Sequence, residues 1–139
     1  MEGRTISDER IEQLAKDLAA AALQKKAHDV AILDLRGLAD YADFFVIATA
    51  NNARQVRAIS DAMRMAAREL HGISAVGSEG QASGRWALND LGDVVTHVFE
   101  RDMRGFYDLD GLWADAPRLA LPDVQPDAED LPEPFFTIG

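Results

Sequence analysis

Apolar residues recur at helical spacing from Ser7 onward. Ile11, Leu14, Leu18 and Ala21 fall on one stripe, which predicts an amphipathic helix over residues 7 to about 26. Ser7 is placed to cap this helix, and Asp8 and Glu9 stand against the positive end of its dipole. Lys25, Lys26 and His28 lie at or just past the negative end. The period then changes. VAILDL, residues 30–35, is a short apolar run broken by Gly37 and predicts a strand. DFFVIATA, residues 43–50, predicts a second strand, apolar on both faces and therefore central in a sheet. Helical spacing returns with Val56, Ile59, Met63, Ala66 and Leu70; Asn52 and Gln55 have the form of a capping box, and His71-Gly72 is the stop. Residues 73–84 read as a loop with at most one short strand. RWALND and DVVTHVF then alternate about Leu91-Gly92, a hairpin signal, and a last short helix over about residues 101–107 leads into LDGLW.

The element order α-β-β-α-β-β-α predicts an α/β fold, a small mixed sheet of about four to five strands packed with helices. A chain of 139 residues is one domain on length and buries enough surface to need no staple. All five prolines lie at or beyond Pro117, and residues 114–139 hold six acidic residues against the single base Arg118. The composition therefore breaks near Ala114, which divides a folded domain, residues 1–113, from an acidic, proline-rich flexible tail, residues 114–139. The closing PFFTIG is apolar and either docks on the domain or frays.

The formal charge of −10 opposes binding to DNA, because affinity for phosphate comes from Lys and Arg. It suits a basic protein partner, whose encounter it would steer, and it is equally accounted for by solubility. There are no cysteines, so disulfides and thiolate-held zinc are excluded. The N-terminal MEGRTISDER is polar, and no apolar run is long enough to cross a bilayer. A soluble, cytoplasmic protein with no membrane partner is expected.

Candidate chemistry gathers in GRWALNDLGDVVTHVF, residues 84–99. If Leu91-Gly92 is a two-residue loop, Asp90 faces Asp93 and Trp86 faces His97. Trp86, Leu88 and Asp90 then share a face with Val95, His97 and Phe99. Asp90 and His97 would stand on the order of 13 Å apart, too far for an acid–base dyad. Asp90 and Asp93 could hold a metal, but aspartates beside a glycine turn more often bond backbone amides. Leu91, at the hairpin tip, is poorly placed to reach the core and is the candidate apolar anchor of a contact patch; Trp86 is either a second anchor or plain core. Arg54, Arg57, Arg64 and Arg68 form a stripe with Asp61 among them, a phosphate contact or simply a solvated face. No serine–histidine motif, phosphate loop or glycine fingerprint is present, so no enzyme, metal or cofactor is expected.

LDLRGLADYADFFVIATA, RQVRAISDA, the Glu79-Gly80 pair and GRWALNDLGDVVTHVFERDMRGFYDLDGLW together resemble the ribosomal silencing factors, also called iojap-like proteins. The most specific part is similar to the family pattern G-x-W-x-L-x-D-x-G-D-x-x-x-H-x-F followed by R-x-F-Y-x-L-x-x-L-W, met here from Gly84 to Phe99 and from Arg104 to Trp113. The resemblance implies a nucleotidyltransferase-like fold without catalytic residues; the turn ATANNARQ lacks the Gly-Ser and paired aspartates of the enzymes. It implies binding to the large ribosomal subunit through its basic fourteenth protein, at the subunit-joining face. Docking of the small subunit would be blocked and translation lowered in starvation or stationary phase. On that basis Trp86 and Leu91 are expected as apolar anchors, Asp90, Asp93 and Asp108 as partners for basic side chains, and Tyr107 as a further contact, with Phe106 in the core. A peripheral contact of the arginine stripe with ribosomal RNA, and a monomer or weak homodimer, complete the expectation. The alternatives are a metal-dependent nucleotidyltransferase-like enzyme using Asp90 and Asp93, a large-subunit assembly factor, and an adaptor acting through the acidic tail.

Overall fold

The computed structural model describes residues 7–127. The first helix, α1 (Asp8–Gln24), starts where Ser7 Oγ accepts the Arg10 N–H at 3.2 Å. It buries the expected stripe of Ile11, Leu14, Leu18 and Ala21. Strands β1 (His28–Asp34) and β2 (Phe44–Ala50) follow, then α2 (Ala53–His71), β3 (Gly77–Glu79), β4 (Trp86–Asp90), β5 (Val94–Glu100) and two short helices, α3 (Arg101–Tyr107) and α4 (Leu109–Leu112). The sheet order is β1-β2-β5-β4-β3; β2 and β5 are parallel and the other neighbours antiparallel. This is the expected α/β fold with a small mixed sheet.

Every residue of β2 is buried, in keeping with its place inside the sheet. Its two faces serve two cores. Phe44, Val46 and Ala48 join Val94, Val98, Ala87 and the apolar stripes of α1 and α2. Phe45 and Ile47 join Val95, Phe99, Trp86 and the apolar side chains of α3, α4 and Trp113. The turn into α2 is held as the capping box predicts, with one difference. Asn52 Oδ1 accepts the Gln55 N–H at 2.9 Å, but Gln55 Oε1 takes the amide of Asn51, not that of the cap itself. Gly72, at φ +67, closes α2 in the left-handed conformation that a side chain would strain. Leu70, expected in the stripe, lies one turn-length past the last buried position, Ala67, and is 63% exposed.

Arg104 pins the last two helices to the sheet. Its guanidinium donates to both Asp110 oxygens (3.0 and 2.9 Å), to Thr49 Oγ1 (2.9 Å) and to the carbonyl of Asp29. Hydrogen bonds from Arg104, with further ones from Arg118, hold the Asp110 carboxyl down to about 2. The acidic segment beyond Trp113 continues along the domain through the described residues. Ala116 is buried, the Pro117 carbonyl accepts the Asp34 N–H at 2.8 Å, and the Leu119 N–H donates to Ile32 at 3.0 Å. Arg118 thereby pairs with Leu33 and occupies the otherwise open edge of β1. Residues 117–119 are thus laid against the sheet, and Asp127 meets Gln24 and Lys25 at the end of α1, while PFFTIG lies outside the described residues. Among the described residues no helix is long and apolar enough to cross a membrane.

Candidate partner-binding face

The two faces of the sheet are covered unequally. On the α1–α2 side, Ala87, Asn89 and Leu91 of the β4 hairpin are all buried. On the other side, α3, α4 and the chain after them pack over β5, β2 and β1, and the alternate residues Trp86, Leu88 and Asp90 remain half-buried. An outward strip of β4 is therefore left beside the two short helices. It shares its face with Val95, His97 and Phe99, as the alternation predicts.

The register differs from expectation by one turn residue. Trp86 pairs with Phe99, Leu88 with His97 and Asp90 with Val95. The Leu91 N–H donates to Val94 at 2.9 Å, so the two loop residues are Gly92 and Asp93, with Gly92 at φ +92. A positive φ at the first loop position is what a tight hairpin with the sheet's twist requires, and glycine takes it without strain. Leu91 consequently belongs to β4's inward set. It is only 5% exposed and joins the core with Val94 and Val98, so the premise of an exposed anchor at the tip is corrected.

The corrected register also places the two aspartates of the turn. Asp90 Oδ1 accepts the Gly92 N–H at 2.9 Å, the turn-stabilising role. The Asp93 carbonyl accepts the N–H groups of Asp43 (2.7 Å) and Phe44 (3.2 Å), which docks the loop on the start of β2. Among the described residues no group of three or more His, Asp or Glu is placed to hold a metal ion. Asp108, at φ +49, caps α4 by accepting the Gly111 N–H at 3.0 Å, and its residue is exposed.

Trp86 lies at the centre of an aromatic cluster. Its ring stacks on Phe99 at 5.0 Å between centroids and meets Tyr107 at 4.3 Å. Its Nε1–H donates to Nδ1 of His97 at 3.1 Å, although His97 is its diagonal and not its direct neighbour. Accepting that bond leaves the proton of the neutral imidazole on Nε2, which is buried with no hydrogen-bond partner among the described residues. Burial pushes the His97 pKa down to about 4. At neutral pH this histidine is therefore an uncharged member of the cluster whose outer nitrogen no solvent reaches.

Exposed apolar groups surround the strip. Phe106 is 75% exposed, against the expectation that it belongs to the core, and it meets Tyr107 edge-on at 5.1 Å. Tyr107 itself is 44% exposed, and Leu112 on α4 and Tyr41 before β2 also face solvent. Tyr41 packs edge-on against Trp113 at 6.4 Å, which packs in turn on Phe45. A groove beside β4 is lined by Ser83, Arg85, Trp86, Met103, Phe106 and Tyr107. Of the expected site residues, Trp86 and Tyr107 meet directly, and Asp108 follows at the end of α3. Asp90 lies on the same strip but four residues along it, about 13 Å away. Leu88 and Phe106, not among the expected site residues, lie half-buried and exposed beside Trp86 and Tyr107, and the parity of Leu88 with Trp86 and Asp90 is legible in the sequence. In the arginine stripe, Arg64 pairs with Asp61, and Arg54, Arg57 and Arg68 are exposed.

Comparison with known proteins gives a consistent result. A family profile described as "Ribosomal silencing factor during starvation" matches residues 8–134. A curated protein of Halalkalibacterium halodurans named ribosomal silencing factor is 42% identical over 119 residues, 86% of this chain and 98% of that protein. One of the same name from Bacillus subtilis is 44% identical over 78% of this chain and 91% of its own length. The chloroplastic protein Iojap of maize is 38% identical over 78% of this chain, but that match covers only 46% of the maize protein. A crystal structure from Chromobacterium violaceum superposes with a TM-score of 0.70 at 31% identity, covering 90% of this chain and 98% of the other.

Proposed function

This chain belongs to the ribosomal silencing factor family, and from that premise we propose that it is a regulator acting on the ribosome rather than an enzyme, and that it represses translation in the cytoplasm by occupying the large ribosomal subunit and blocking the small one. The partner on the large subunit is its basic fourteenth protein, at the subunit-joining face. The contact is the strip of β4 left uncovered by α3 and α4, with Trp86 and Tyr107 as its fixed centre and Phe106 as its exposed anchor.

The observation that carries this reading is the aromatic surface beside β4, with Phe106 75% exposed on a helix pinned from beneath by Arg104. An exposed aromatic group on a rigid platform can bury its area against a partner at little cost in conformational freedom. Asp108, Asp90 and Asp93 set negative charge around it, which favours a basic partner chiefly through encounter and choice of orientation. Asp90 keeps one oxygen on the Gly92 amide, so its second oxygen is the one a lysine or arginine would meet. Leu91 drops out of the contact, because it is spent in the core. An occluding protein needs affinity and bulk but no reacting group.

Phe106→Glu tests the assignment. Anchor residues contribute roughly 2–4 kcal/mol, so cosedimentation with purified large subunits should weaken roughly 30- to 900-fold. Thermal stability should stay within about 0.5 kcal/mol of the wild type, since Phe106 lies on the surface. Wild-type binding by that variant would move the contact elsewhere.

A further inference from the structure

A second surface lies at the end of the sheet where the parallel strands β2 and β5 run out and α2 and α3 begin. Two clefts adjoin there. Lys25, Lys26, His28 and Arg54 line the first, together with Asn51, Asn52, Gln55 and Ala58, and the Asp127 carboxylate reaches Lys25 at its side. Arg101, Arg104 and Arg118 line the second, with Asp29 as its one acid. Consecutive residues take part in the two linings, His28 in the first and Asp29 in the second. Six of the 14 lysines and arginines of a chain with net charge −10 are therefore gathered at one end of it.

The lysine turn is held in place. Gln55 Nε2 donates to the carbonyls of Lys25 (3.1 Å) and Lys26 (3.3 Å), and Lys26 takes a left-handed φ of +64. The amides of Asn51 and Gln55 are satisfied by side chains of the same turn, and the cationic groups beside them attract an anion. Arg104 and Arg118 share Asp110, whereas Arg54 and Arg101 form no ion pair among the described residues. An anion is already seated here. The Asp127 carboxylate stands 2.8 Å from Lys25 Nζ, and the Asp127 N–H donates to the Gln24 carbonyl at 3.0 Å. The chain's own acidic segment, which crosses the edge of β1 at residues 117–119, delivers that carboxylate to the basic end.

We propose that this end binds the phosphate backbone of RNA, and that the acidic segment carrying Asp127 is a built-in competitor for it. Guanidinium forks match phosphate oxygens in pairs, and a row of separated cations suits a repeating anion better than a single carboxylate. Asp127 would be displaced as phosphates enter, so the chain's affinity for RNA is set below what its cations alone would give. The choice of RNA over other polyanions rests on the ribosome reading above.

The test uses the full chain and a fluorescent single-stranded RNA of about twelve nucleotides, at low salt, because such binding falls steeply with ionic strength. Asp127→Asn should bind at least threefold more tightly than the wild type. The double variant Lys25→Glu, Arg54→Glu should bind at least tenfold more weakly and with a flatter dependence on salt, its circular dichroism unchanged. Equal affinity of wild type and Asp127→Asn overturns the competitor, and an unaffected double variant overturns the surface. Displacement of RNA by polyglutamate at equal charge concentration transfers the site to an acidic protein partner and overturns the RNA assignment. Phe106→Glu should keep RNA binding. If the wild type cosediments with large subunits while the RNA results fail, this inference falls and the ribosome reading stands.

Discussion

His97 shows at the residue scale how a polar group in an apolar strand becomes structural. It lies against Phe45 at 4.5 Å and takes the Trp86 N–H on Nδ1. Protonating it would place a charge where water cannot follow, which is why its pKa falls from 6.5 to about 4. In the unfolded chain the same imidazole protonates near 6.5, so between those values the unfolded state binds more protons. Stability is therefore unaffected by this group above about pH 6.5, declines as the pH drops, and levels off below about 4, a loss of up to about 3 kcal/mol. The difference between wild type and His97→Phe isolates the effect of this one group. Urea midpoints at pH 7 and pH 4.5 should diverge less in the variant. An identical decline in both would show that His97 is not buried neutral.

The β4–β5 hairpin carries the lesson at the scale of elements. Alternation alone placed Trp86, Leu88 and Asp90 on one face with Val95, His97 and Phe99, and the structure agrees. It did not choose between Leu91-Gly92 and Gly92-Asp93 as the loop, since both contain the glycine the turn needs. The apolar character of Leu91 is what decides, because a leucine is more stable paired inside with Val94 than exposed at a tip. Leu91→Glu should thus lower stability by on the order of 3–5 kcal/mol, measured by urea unfolding, since it buries a carboxylate and removes core packing. A variant of wild-type stability would restore the exposed tip. The helix α3 was legible as an element but not in its orientation. Seven residues make two turns, too few for a periodic stripe to say that Phe106 points outward. The long helices α1 and α2 offered enough turns, and their buried faces were readable but for the last turn of α2. The acidic segment misled for another reason. Proline lacks an N–H but keeps its carbonyl, and Pro117 uses that carbonyl to hold the edge of β1.

At the scale of the whole molecule, two surfaces of opposite character sit on one small sheet. The face of β4 beside α3 is aromatic with aspartates nearby, while the end where β2 and β5 terminate is basic and partly covered by the chain's own acid. Composition could not reveal this separation, because a net charge says nothing of where its minority sign is placed. Members of the family pattern from Gly84 to Trp113 have identifiable physical roles: Arg104 clamps the last helices, bonding Asp110 at a position the pattern leaves open, Trp86 and His97 are a supporting pair, and Gly92 makes the turn. In the proposed function, occupancy of the large subunit is by itself sufficient for repression. The most direct test adds the purified protein to large subunits, then small subunits, and resolves the particles on a sucrose gradient. Joined particles should fall in proportion to bound protein, and Phe106→Glu should leave them intact. Joined particles at full yield from large subunits saturated with the wild-type chain would contradict it.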